Sequence, residues 1–73
     1  MYIIKGNETV FISSVKVIGC YVIIGSVGKT IEYIYKDYKS AKEAYDYIIK
    51  EMTSGTCAIK ESFLGSFIGV NFI

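Results

Sequence analysis

Apolar and polar positions run in short bursts through the first half of the chain and then change period. Residues 2–5 (Tyr-Ile-Ile-Lys) and 9–12 (Thr-Val-Phe-Ile) flank Gly6-Asn7-Glu8 and read as two short strands joined by a tight turn. Residues 15–18 (Val-Lys-Val-Ile) and 21–24 (Tyr-Val-Ile-Ile) are either one long strand bent at Gly19 or two strands of a hairpin pivoting there. Ser26-Val27-Gly28-Lys29 forms the next turn, and residues 30–36 (Thr-Ile-Glu-Tyr-Ile-Tyr-Lys) give the clearest alternation. Ile31, Tyr33 and Tyr35 share one face there, and Thr30, Glu32, Ile34 and Lys36 share the other, so one face packs on a core and the other is largely wet.

From Ser40 the period becomes helical. Ala41, Ala44, Tyr45, Ile48 and Met52 fall on one stripe, with Lys42, Glu43, Asp46 and Lys50 opposite. Ser40-Ala41-Lys42-Glu43 has the form of a capping box, and Thr53-Ser54-Gly55 ends the helix with a glycine suited to the left-handed closing position. The pattern predicts one helix, about 40–53, across one face of an antiparallel sheet of four to five strands: an α+β single domain over residues 1–73. Residues 56–73 are the ambiguous part. Residues 57–60 suit a strand, whereas 63–73 are apolar, aromatic and punctuated by Gly65 and Gly69, fit for an added strand or for packing against another copy or another protein.

Composition supports the strand reading: thirteen Ile and six Val stand against one Leu, and β-branched side chains favour a pleated surface. A chain of 73 residues builds only a modest core, yet 52% of it is hydrophobic. That surplus lies in residues 17–27 and 63–73, which marks Tyr21, Ile23, Phe63, Leu64, Phe67, Ile68 and Phe72 as candidate interface residues and points to a homo-oligomer. The apolar stretch 17–27 is too short for a membrane-spanning helix, and the N-terminus has no basic region followed by an apolar run and a cleavage site. A cytoplasmic location follows as the expectation, with Cys20 and Cys57 as free thiols.

Charge narrows the chemistry. The formal net charge is +1, all eight basic residues are Lys, and the signs are interspersed. Without a basic stripe or an arginine fork, sequence-specific DNA binding is disfavoured. Gly25-Ser26-Val27-Gly28-Lys29-Thr30 ends like a phosphate loop, but Ile23 stands where the first glycine belongs, and Thr30 opens a strand where a phosphate loop opens a helix. It reads as a hairpin turn. The acids Glu32, Asp37, Glu43, Asp46, Glu51 and Glu61 form no paired arrangement, and Cys20 has no histidine to generate a thiolate, since the chain contains no His. No catalytic residue, metal ligand or cofactor site is assigned. Two further readings stay open: an oligomer that sequesters a small nucleotide, lined by Ser26, Lys29, Thr30, Tyr33 and Tyr35, and a weak single-stranded nucleic-acid binder that stacks bases on Tyr21, Tyr33 and Tyr35.

The strands followed by Lys36-Asp37-Tyr38-Lys39-Ser40-Ala41-Lys42-Glu43-Ala44-Tyr45-Asp46-Tyr47-Ile48-Ile49-Lys50 resemble, in layout, small strand-meander-plus-helix proteins of low-GC bacteria and their phages. The resemblance covers roughly residues 1–53. It implies a small non-enzymatic binding protein, of which some phage examples inhibit host defence proteins by direct contact or capture their signalling molecules.

Overall fold

Gly19 decides between the two readings of residues 15–24. Its φ of +58° belongs to the left-handed region, so the chain reverses there as a hairpin. The computed structural model describes residues 1–73. Its strands are β1 (Tyr2–Lys5), β2 (Glu8–Phe11), β3 (Ser14–Ile18), β4 (Tyr21–Ser26), β5 (Lys29–Ile34), β6 (Ala58–Lys60) and β7 (Gly69–Phe72). Helix α1 (Tyr38–Thr53) follows β5, and a 3-10 turn (Glu61–Leu64) follows β6. The architecture is α+β.

Strands β3-β4-β5-β7 form a four-stranded sheet that is antiparallel throughout. The tail therefore adds a strand to the sheet, at the free edge of β5. The first hairpin does not join this sheet. It forms a second one in the order β2-β1-β6, in which β1 and β6 run parallel, Tyr2 opposite Ala58 and Ile3 opposite Ile59. A parallel pair needs a long crossover, and everything between β1 and β6, helix included, supplies it. The chain first passes from the smaller sheet to the larger within a single residue step: Ile12 N–H donates to the Met1 carbonyl at 2.8 Å, and Ser13 N–H donates to the Gly25 carbonyl at 2.8 Å.

Residues directly opposite in neighbouring strands share a face. Two cross-strand rows, Val15-Ile24-Ile31-Phe72 and Val17-Val22-Tyr33-Val70, make the inner face of the larger sheet. Its central residues Val22, Ile24, Ile31 and Tyr33 are buried together with Ile3, Val10, Ile12 and Ile59 from the smaller sheet and its margin, Ala41, Ala44 and Ile48 from the helix, and Leu64. Burial of each large aliphatic side chain contributes about 1.5–3 kcal/mol. The two alanines on the helix stripe have short side chains, which suits close approach of α1 to β3 and β4.

The helix begins earlier than the capping box predicts. Asp37, in extended conformation, is the N-cap, and its Oδ1 accepts from the Ser40 amide at 2.8 Å. Ser40 thus sits in the first turn, with its amide donating to Asp37 and not to Glu43. A carboxylate is a strong acceptor for the free amides of a first turn, so the helix starts two residues earlier, at Tyr38. Its end matches the glycine signal: Gly55 has φ +80°, Thr56 N–H donates to the Glu51 carbonyl and Gly55 N–H to the Met52 carbonyl, the two bonds of a Schellman closure. On the polar side of the helix Lys42 pairs with Asp46, one turn further on.

Candidate functional site

The outer face of the larger sheet carries three further cross-strand rows, of which Ser14-Gly25-Thr30 lies at the end next to the β4–β5 turn. Lys16-Ile23-Glu32-Asn71 crosses its middle, and Ile18-Tyr21-Ile34-Gly69 lies at the end next to the Gly19 turn. Helix α1 packs against the other side, so this face has no layer over it. Ile18 is 53% exposed and Tyr21 38% exposed, with Ile23 and Ile34 half-buried between their neighbours. Within the polar row, Asn71 Nδ2 donates to Glu32 Oε1 at 3.2 Å. Lys16 stands exposed on the edge strand β3. The face is therefore an apolar strip with one cation and one anion placed on opposite sides of Ile23.

Among the residues expected at an interface, Tyr21 and Ile23 meet on this face. The others scatter. Phe63 is exposed beside the helix, Ile68 is exposed just before β7, and Phe72 is exposed on the inner-face side of β7, with the Lys5 ammonium 5.1 Å from its ring centre. Phe67 packs edge-on against the Tyr33 ring at 5.0 Å and is half-buried. Leu64 is 1% exposed and belongs to the protomer's own core.

The residues expected to line a nucleotide site also separate. Ser26, Lys29 and Thr30 border the β4–β5 turn, where Lys29 Nζ lies 3.2 Å from Glu8 Oε1. Tyr33 and Tyr35 are buried on the inner side, away from Tyr21, and their hydroxyls are engaged. Tyr33 donates to Glu61 Oε2 at 2.7 Å, and Tyr35 donates to the Leu64 carbonyl at 2.6 Å. Burial, seconded by the nearby Glu61 charge, pushes the Tyr35 phenol up to about 12. Burial first, and then the Glu61 hydrogen bond, raise Tyr33 further still. Neither ring offers a face to a base.

A cleft of about 390 Å³ opens between the start of α1 and the segment after the 3-10 turn, bordered by Tyr35, Lys36, Ser40, Glu43, Tyr47, Phe63 and Ser66. Sequence reasoning does not find it, because it arises where residues 63–66 fold back onto the helix. It likewise misses Ile18 as part of the outer face, whereas Ile34 is placed beside Glu32 on the wet face of its strand by the alternation of residues 30–36. The alternation of 14–18 and 29–34 carries that signal once the strands are known to be neighbours. No helix is long and apolar enough to cross a membrane. No protein family, curated protein or solved structure matches this chain.

Proposed function

We propose that the chain is a small non-enzymatic binding protein that acts by protein–protein contact through the outer face of its four-stranded sheet. One observation carries this: the row Ile18-Tyr21-Ile34 presents contiguous apolar side chains on a face with no layer over it. Contiguous exposed apolar surface rimmed by polar groups is the mark of a partner site, and Tyr is well suited to one because its ring is apolar and its tip wet. A phage-encoded inhibitor of a host protein is one form of this function, since occluding a target requires a face with affinity and no reacting group. Free thiols at Cys20 and Cys57 suit work in a reducing cytoplasm.

Photo-crosslinking in cells tests the reading, with a benzophenone amino acid at Tyr21 and, as control, at Thr9, which is exposed on β2 of the smaller sheet. Protein adducts at position 21 and none at position 9 are expected. Absence of adducts at position 21 overturns it.

Capture of a small nucleotide is supported by a different observation, the cleft, where Tyr47 and Phe63 offer aromatic surface and Lys36 a cation. Glu43 on the same rim opposes a phosphate, which ranks this reading second. A thermal-shift panel of cyclic and linear nucleotides tests it, with a shift that Phe63→Ala abolishes as the supporting result and no shift across the panel as the result against it.

A further inference from the structure

We infer that the partner of the outer face is a second copy of this chain, seated sheet against sheet on a two-fold axis that runs along β4. The inference rests on the reading of that face as protein-binding and goes beyond it by committing to the occupant and its orientation. The argument comes from where the charges lie. Lys16 on β3 and Glu32 on β5 are members of one cross-strand row, with Ile23 of β4 between them. Each is one strand spacing, about 4.8 Å, from β4.

Rotation by half a turn about an axis parallel to β4, between the two faces, carries β3 of one copy over β5 of the other. Lys16 of each copy then stands over Glu32 of the other, twice. The same operation sets Ile23 on Ile23, Tyr21 on Tyr21 and Ile18 over Ile34, so apolar groups meet apolar groups along the whole strip. The alternative in-plane axis, across the strands, sets Lys16 on Lys16 and Glu32 on Glu32. Like charges brought together at an interface cost several kcal/mol, so the charge pattern selects the first axis. It also keeps the strands of the two sheets nearly aligned, the usual arrangement of packed sheets, whose spacing of about 10 Å lysine and glutamate side chains can bridge together. A two-fold contact of this kind is self-complementary and closes at the dimer. Its area is that of three short strands, so association in the micromolar range is expected, as for other small interfaces.

Sedimentation velocity over a concentration series on the full chain provides the test, with circular dichroism to confirm that each variant is folded. The wild type is expected to move from monomer to dimer as concentration rises. K16E and E32K, at surface positions, are each expected to weaken association about tenfold or more. An equimolar mixture of the two variants is expected to recover a heterodimer, because each places the charge the other lacks, and the double variant K16E/E32K is expected to recover the homodimer. A wild type that stays monomeric to its solubility limit overturns the inference. So do single variants that dimerise as the wild type does, or folded variants whose mixture remains monomeric. Crosslinks from position 21 separate this failure from failure of the broader reading: adducts to other proteins from a monomeric chain leave the protein-binding face in place without the self-pairing, and no adducts remove both.

Discussion

The Tyr33 hydroxyl donates to Glu61 Oε2 at 2.7 Å, and the Lys5 ammonium reaches the same oxygen at 2.5 Å. One carboxylate thereby ties β5 to the 3-10 turn and the turn to β1, across sequence separations of 28 and 56 residues. Tyr33→Phe removes one donor and leaves Glu61 its ammonium, at a cost of about 1 kcal/mol; Glu61→Ala leaves a buried phenol unpaired and costs about 2–3 kcal/mol. Urea unfolding midpoints at constant slope measure both. A larger loss for Tyr33→Phe than for Glu61→Ala contradicts this account.

Alkali acts on the same 3-10 turn, to which Tyr35 also donates, through the Leu64 carbonyl. Tyr35 is held protonated up to about 12 by burial, above its ordinary value of 10.0. A folded-state value above the unfolded one favours the protonated, folded chain, so this contribution is complete below pH 10 and is lost as pH rises toward 12 and beyond. Tyr33, raised by burial and by Glu61, adds to the fall in the same direction. Thermal unfolding at stepped pH is expected to show stability declining from about pH 10 upward, with the last tyrosinate absorbance appearing only as the chain unfolds. Full tyrosine titration in a chain that is still folded counts against it.

Asp37→Ala removes the N-cap acceptor and is expected to lower the urea midpoint. Ser40→Ala keeps the amide that Asp37 accepts from and is expected to cost less. The two midpoints, compared in the same buffer, decide between Asp37 and Ser40 as the cap. Equal or reversed losses favour the serine.

Neighbouring residues Phe63 and Leu64 have opposite fates, 62% and 1% exposed. Leu64→Ala is expected to lose about 2–5 kcal/mol, enough to unfold much of a chain this small. Phe63→Ala is expected to change stability by about 0.5 kcal/mol or less. Scanning calorimetry on both variants checks the contrast.

Much of this layout is legible in the sequence where the signal is local. The faces of β5 follow from strict alternation over residues 30–35, the helix stripe from Ala41, Ala44 and Ile48, and the helix end from Gly55. What is not legible depends on pairings made over long separations. The segment at 58–60 is three residues of ordinary strand, and nothing in Ala-Ile-Lys says that it runs parallel to β1 and not beside β5. The same ignorance of neighbours hides the outer face: Lys16 and Glu32 read as solvated charges until β4 is known to lie between them. Phe63 and Leu64 cannot be told apart by hydrophobicity, since a 3-10 turn aims consecutive side chains in different directions. The Asp37 cap is visible in the sequence as an acid three residues before Ser40, but Ser40 and Glu43 present the more familiar capping pattern.

The parallel pairing of β1 with β6 sets a timetable for the chain as it is made. Ile3 leaves the ribosome long before Ile59, the residue it will lie beside, so the smaller sheet stays unfinished until synthesis has passed β6. A nascent chain ending before that point carries the β1–β2 hairpin with one edge of β1 bare, the condition in which strands recruit the wrong neighbour. The pairing also gives the fold a high share of distant contacts, which slows folding relative to a local meander of equal size. Of the seven strands β1 is synthesised first, yet its pairing is among the last to be completed.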